Sequence, residues 1–376
     1  MKKIKIYVGS NAQELKNKDF AYTIYLSIKA IEDNTNVKFS DTDLSYSIDN
    51  GVTWASLTNS GVTINADECV LFKGNLINRG TNGIGTFQVD KPYKLYGNPT
   101  SLINDYEDFL NHPNTELTSN YVFANLFAGT PVVNAHYLLL NSEELTEGCY
   151  QNMFSGCTSL VTAPELPATT LAKSCYTNMF QYCSSLTTAP KILPATTLIS
   201  FCYSHMFEFC TSLTTAPELP AMVLTKSCYE SMFGGCTSLT VAPELPATTL
   251  AEDCYASMFM YCTSLTTAPE LPATTLTENC YNGMFRDCTS LTTAPELPAT
   301  TLAVDCYKNM FSGCTNLNYI KALFLTTPGR DLTTGWVSNV SATGTFVRSE
   351  NATWNVRGVN GIPNGWDVEP PIVPAQ

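Results

Sequence analysis

The sequence predicts an α+β protein: an N-terminal all-β, sandwich-like domain followed by a right-handed solenoid of coils about 26 residues long. Three observations predict it. A phrase read most clearly in Cys254 to Leu276, CYASMFMYCTSLTTAPELPATTL, begins seven times, at Cys149, Cys175, Cys202, Cys228, Cys254, Cys280 and Cys306. The starts lie 26 residues apart, except for one step of 27 where Lys191-Ile192-Leu193-Pro194 replaces the usual Glu-Leu-Pro. A fixed period in the twenties marks coils stacked on one another. Residues 1–100 lack that period and instead alternate apolar with polar side chains, as half-buried strands do.

The N-terminal domain is assigned to residues 1–100. Ile4, Ile6 and Val8 alternate, then Tyr22, Ile24, Leu26 and Ile28, then Leu44, Tyr46 and Ile48. Asp49-Asn50-Gly51, between Tyr46-Ser47-Ile48 and Val52-Thr53-Trp54, is a hairpin signal. Further strands are expected at Val62–Ile64, Val70–Phe72 and Phe87–Val89. Several short strands separated by turns point to a sandwich. Residues 101–121 read as a connection, with Ser101-Leu102-Ile103 and Phe109-Leu110 packing on the first coil. Val122 to Phe127 then fits the repeat frame 27 residues before Cys149 but lacks its cysteines. A degenerate first copy is what an end cap requires, because its outer side meets water.

Each coil divides into thirds. Cys254, Tyr255, Met258, Phe259 and Cys262 fall at spacings that place them on one side of a short helix. Thr263 to Pro269 is rich in β-branched residues and reads as a short strand with Leu265 inward, stopped by its proline. Glu270 to Leu276 is too proline-rich for a helix and reads as an extended return, with Leu271 and Leu276 inward. Strand, return and helix make a coil of leucine-rich-repeat type, whose strands pair in a parallel sheet at about 4.8 Å. After Cys314 the pattern decays. Leu317, Ile320 and Leu323 keep one more strand, Trp336-Val337 fill the helix slot, and Gly344 to Val347 close the array. The solenoid with its caps spans 122–347; residues 348–376 form a C-terminal cap around Trp366 and an extended tail with Pro370, Pro371 and Pro374.

Fourteen of the fifteen cysteines form pairs eight residues apart, one pair per coil: Cys149 with Cys157, Cys175 with Cys183, Cys202 with Cys210, Cys228 with Cys236, Cys254 with Cys262, Cys280 with Cys288, and Cys306 with Cys314. On a helix that spacing is about 12 Å, too far for a disulfide. It is also unlike the close spacing of zinc ligands. The pairs read as reduced thiols filling a core ladder, with bridges between equivalent cysteines of adjacent coils as the alternative. Cys69 reads as a buried strand residue.

The chemistry of a catalyst is not apparent. His112, His136 and His205 lie in unrelated places, and His205 reads as a solvated side chain. There is no Ser–His–Asp order, phosphate loop or metal cluster, so no cofactor and no metal is expected. The repeated carboxylates Glu165, Glu218, Glu244, Glu270 and Glu296 form a row, interrupted by Lys191. Mutual repulsion keeps such a row hydrated and exposed, where it discourages sideways aggregation; the alternative is a cation bridging the row. A net charge of −13 argues against nucleic acid and anionic membranes. No apolar run is long enough to insert in a membrane. The start Met1 to Ser10 is basic but lacks the apolar core of a secretory signal; either an export signal has been removed, or the protein is made in the cytoplasm and leaves by assembly into a particle, the second being the expectation.

The copies themselves expose a candidate surface. Columns that stay constant belong to the core, and columns that drift are free of it. The pair before each second cysteine drifts most, and the pair before each first cysteine drifts too. Those positions hold Tyr182, Phe209 and Tyr261, with Phe201, Glu208 and Arg286 nearby. An exposed aromatic stripe with charged neighbours fits a glycan or a protein partner.

The set MF-x-x-CTSLTTAPELPATTL followed by CY, over about Val122 to Phe346, resembles the BspA-like leucine-rich repeats of gut Bacteroidales and of the phages that infect them. YSIDNGVTWASL, with Val70 to Asn75, looks like the small β-domain that precedes such repeats. The resemblance implies a non-catalytic surface or virion protein that mediates adhesion or recognition. The expected function is that of a virion head or tail fibre or decoration. Its β-domain would meet other virion proteins and its solenoid the bacterial surface. The alternative is a cell-surface adhesin of a gut bacterium binding host protein or glycan.

Overall fold

The computed structural model describes residues 24–40, 43–76, 83–104, 117, 119–142 and 144–369. The expected alternation at Ile4, Ile6, Val8 and Tyr22, the contacts of Phe109-Leu110, His112, and the proline tail lie outside the described residues. The N-terminal strands are β1 (Leu26–Ala30), β2 (Thr35–Phe39), β3 (Leu44–Ser47), β4 (Ala55–Ser56), β5 (Val62–Ile64), β6 (Cys69–Gly74), β7 (Phe87–Val89) and β8 (Tyr93–Gly97); β9 (Val132–Leu138) follows within the span of the repeats. They form a six-stranded sheet in the order β4-β3-β6-β1-β8-β9 and a three-stranded sheet in the order β5-β2-β7. Alternation turns Leu26, Ile28 and Phe72 toward Val37, Phe39 and Phe87, all buried, and the Phe72 and Phe87 rings meet at 5.0 Å. The β3–β4 connection is wider than a tight hairpin, with pairing only at Ser45–Ser56 and Tyr46–Ala55. Asn50 and Gly51 take positive φ, and Asp49 accepts from Thr53 N at 2.9 Å and Oγ1 at 2.6 Å. Those bonds hold the Asp49 carboxyl down at about 2, and Ile48 and Val52 stand exposed on the loop rather than on half-buried strands.

The α+β class and the leucine-rich-repeat solenoid expected from the sequence are not what forms. Among the described residues only Ile24 and the 3-10 turn Pro99–Leu102 are helical. None of the sheets runs through the repeats. Two lie in the N-terminal part, and a third, parallel β10 (Tyr319–Ala322), β11 (Thr345–Arg348) and β12 (Asp367–Glu369), lies at the C-terminal end. Thr263 to Pro269 is not a strand; it meets its neighbour through the single bridge Val241↔Thr267 and bonds such as Thr266 N to Thr240 O at 2.9 Å.

The Cys-Tyr-x-x-Met-Phe-x-x-Cys segment is a chain of β-turns instead. In the fifth copy Cys254, Ala256, Met258, Met260 and Cys262 donate their backbone N–H to the carbonyl three residues back. The intervening residues Asp253, Tyr255, Ser257, Phe259 and Tyr261 donate to the next copy, at Glu278, Cys280, Asn282, Met284 and Arg286. The carbonyls divide in the same way, so this segment satisfies its backbone without helix or sheet. The third residue of every second turn has positive φ, as a type II turn requires: Asp253, Ser257 and Tyr261, at 56°, 55° and 63°. Half the backbone bonds point at the neighbouring copy, so one repeat cannot complete itself alone.

This ladder stacks side chains in register. Tyr150, Tyr176, Tyr203, Tyr229, Tyr255, Tyr281 and Tyr307 form one buried column with ring centroids 5.6–6.0 Å apart. Phe127, Phe154, Phe180, Phe207, Phe233, Phe259, Phe285 and Phe311 form a second at 5.4–5.7 Å. The second cysteine of each copy donates its thiol to the phenylalanine carbonyl of the copy before, as Cys262 Sγ does to Phe233 O at 3.1 Å; the other six do so at 2.9–3.2 Å. A small apolar side chain with one weak donor suits that position. All fourteen repeat cysteines are buried and unbridged, whereas Cys69 in β6 is partly exposed. Burial pushes the Cys262 thiol up to about 12, and the thiolate is the reactive form. Iodoacetamide at mildly alkaline pH should therefore leave the fourteen unmodified in native protein and label all fifteen after denaturation. Intact-protein mass spectrometry reads the difference, and rapid native labelling of repeat cysteines would contradict this packing.

Both ends of the stack are closed. Phe87 N donates to Leu126 O at 2.9 Å and Ile84 N to Val122 O at 3.0 Å, joining the N-terminal part to the degenerate first copy. At the other end Trp336 ends both aromatic columns, its ring 6.2 Å from Tyr307 and from Phe311.

Candidate functional site

The turn chain gives every repeat three left-handed slots, four residues apart. Slot one holds Gly148, Ser174, Phe201, Ser227, Asp253, Asn279, Asp305 and Asp331; slot two Asn125, Asn152, Asn178, His205, Ser231, Ser257, Gly283, Asn309 and Gly335; slot three Gly129, Gly156, Tyr182, Phe209, Gly235, Tyr261, Asp287, Gly313 and Asn339. Gly, Asn, Asp and Ser dominate, as the steric cost of a side chain at positive φ demands. Phe201, His205, Tyr182, Phe209 and Tyr261 break that rule, as does Tyr121 in the first copy. A bulky side chain held there costs roughly 1–2 kcal/mol. Three of the exceptions, Phe201, His205 and Phe209, fill all the slots of one copy.

Slot three points its residues outward along one edge. Tyr182 is 50 % exposed and Tyr261 39 %, while Phe201 and Phe209 are half-buried. Tyr182 and Phe209 stack face to face, with centroids 5.2 Å apart and planes at 4°. The Phe209 ring lies over Gly235, where an added Cβ would come within 2.5 Å of it. Gly235 therefore makes room for the ring, and it separates Phe209 from Tyr261 by one repeat. Arg286 is exposed and turns to Asp287, Nε to Oδ2 at 3.3 Å. Phe201 sits at the opposite end of the turn chain, where its carbonyl accepts from Thr177 Oγ1 at 2.7 Å.

Glu208 is not an exposed neighbour of the aromatics: only 9 % of it reaches solvent. Its Oε2 accepts from Gln181 Nε2 at 2.5 Å and lies 3.0 Å from His205 Nδ1. His205, read from the sequence as solvated, is half-buried and held in this triad. Its pKa is raised, first by the hydrogen bond to Glu208, against the opposing cost of burial. The triad braces the base of the Tyr182–Phe209 stack, because Gln181 and Glu208 directly precede the two rings.

The structure thus brings Tyr182, Phe209 and Glu208 together and adds Gln181 and His205; Tyr261 and Arg286 meet each other further along the stack, Tyr261 N donating to Arg286 O at 2.8 Å, and Phe201 stands apart. The recurrence of Gly, Asn and Asp every fourth residue was the signal for the slots, and large residues interrupting it mark the stack. Glu165, Glu218, Glu244, Glu270 and Glu296 form an exposed row on another edge, where Lys321 pairs with Glu296 at 2.7 Å. Among the described residues no group of three or more His, Cys, Asp or Glu could hold a metal ion, and no helix is long and apolar enough to cross a membrane. Compared with protein-family models and with curated proteins, the chain matches none.

Proposed function

We propose that this is a non-catalytic recognition protein of a phage particle, a fibre or decoration whose repeat stack contacts the bacterial surface while its N-terminal sheets meet other virion proteins. The observation that carries the recognition reading is the set of aromatic side chains kept at left-handed slots. Glycine or asparagine would serve the fold better there, so the rings are maintained for what they touch. The unbridged cysteines support a virion over a secreted adhesin, since they suit folding in a reducing compartment. The resemblance of the repeats to BspA-like proteins supports the same reading.

The test is binding of fluorescently labelled protein to cells of gut Bacteroidales by flow cytometry, comparing wild type with the triple variant Tyr182→Ala, Phe209→Ala, Tyr261→Ala. The wild type should bind and the variant should lose binding at least about tenfold, the equivalent of one lost aromatic contact or more. Antibodies to the protein should decorate intact particles. Undiminished binding by the triple variant would reject the aromatic site.

A further inference from the structure

Tyr182 has one ring face against Phe209. Its other face looks back along slot three, toward Gly156 and Gly129. Those are the only two consecutive glycines in that slot. A Cβ on Gly156 would find nothing nearer than the Gly129 backbone at 3.8 Å, and a Cβ on Gly129 would find nothing within 4 Å. The slot is therefore bare and open over two repeat steps of 5.5 and 5.6 Å, taken from the parallel phenylalanine column. It ends in a cleft of about 390 Å³ between the first copy and the small N-terminal sheet. Ala128, Gly129 and Thr130 form one side of that cleft; Asn36, Lys38, Gln88 and Asp90 supply the polar groups of the other.

We infer that this glycine-floored groove, from Tyr182 to the Gln88–Asp90 cleft, binds a short, uncharged oligosaccharide. A flat exposed ring accepts the C–H face of a pyranose, and two amides, a carboxylate and an ammonium group at the far end match its hydroxyls as both donors and acceptors. The groove offers one aromatic face and then no side chains. A protein partner would need about 800 Å² with an apolar centre, which a bare backbone floor does not provide. One ammonium and one carboxylate leave the cleft balanced, and the net charge of −13 works against an acidic glycan. The inference rests on the recognition reading above and names the ligand class and the path it takes.

Binding is tested on an array of neutral and acidic oligosaccharides, followed by calorimetry with the strongest neutral hit. Gly156→Asn fills the groove, and the backbone tolerates it because Asn339 occupies the same slot at φ 58°. Gln88→Ala, at an exposed position in β7, removes a cleft group without touching the core. The wild type should bind neutral oligosaccharides. Tyr182→Ala and Gly156→Asn should each weaken binding about tenfold or more, and Gln88→Ala several-fold. If Tyr182→Ala abolishes cell binding while Gly156→Asn and Gln88→Ala leave it intact, the groove is overturned and the aromatic site stands. If the protein binds no oligosaccharide yet still binds cells through Tyr182, the ligand class is overturned. If Tyr182→Ala leaves both intact, the aromatic site and the groove that starts from it are both overturned.

Discussion

Replacing Phe259 by Ala is expected to destabilise the protein by about 3–5 kcal/mol, the range for deleting a buried aromatic side chain. Phe259 is wholly buried, its ring held between those of Phe233 and Phe285 at 5.7 Å each. The cost depends on whether the vacated space can close. Here it cannot readily do so. Phe233 N donates to Met258 O and Phe259 N to Met284 O, both at 2.9 Å, so the backbone ladder sets the distance between copies. Because each copy bonds mainly to its two neighbours, a weak middle should also split unfolding into two steps. Tyr261→Ala, two residues away but exposed, should change stability by less than about 0.5 kcal/mol. Guanidinium unfolding followed by circular dichroism distinguishes them. Equal midpoints for the two variants would mean that the phenylalanine column does not hold the stack together.

Trp336→Ala should cost about as much, 3–5 kcal/mol, but at one end. Trp336 sits in the position that methionine takes in the full copies, since it accepts from Phe311 N at 2.8 Å as Met284 does from Phe259 N. Its ring lies 5.8 Å from Phe324 and 6.2 Å from Phe346, as well as against Tyr307 and Phe311. Its Nε1 donates to Gly361 O at 2.9 Å, and truncation leaves that carbonyl buried without this donor. Without the plug, the last tyrosine and phenylalanine of the columns meet water. Hydrogen exchange should speed up from Cys306 onward and stay slow around Cys149 to Cys183. A uniform rise along the chain would show that the stack behaves as one block without a distinct cap.

The positions of the core were legible in the repeats, and their conformation was not. Constancy of Cys, Tyr, Met, Phe and Leu across seven copies located the buried columns, and all of those side chains in the turn chain are buried. The spacing of four between Cys254 and Met258, and again between Met258 and Cys262, suits a helix, which returns to the same face about every four residues. A chain of β-turns with a left-handed residue every fourth position returns to the same face just as well. The evidence for turns was in the other columns, where Asn152, Asn178, Ser231, Ser257, Gly283 and Asn309 occupy a position that a helix would have no reason to restrict. The candidate site was legible in part. Drift among copies singled out Tyr182 and Phe209, but the burial of Glu208 and its hydrogen bond from Gln181 of the copy before depend on the distance between adjacent copies, which no single copy encodes.

The amino-acid sequence by itself determined that the copies repeat, which side chains they bury, and where the repetition ends. Those follow from composition and period, because apolar groups recurring at one interval must be hidden at one interval. Only the tertiary structure decided that half the backbone bonds of each turn chain reach into the next copy. That choice replaced helices and a continuous sheet with a ladder of turns, because the backbone groups of one copy find their partners only when a second lies against it. The same stacking set Tyr182 on Phe209 and left Gly156 and Gly129 bare beside them.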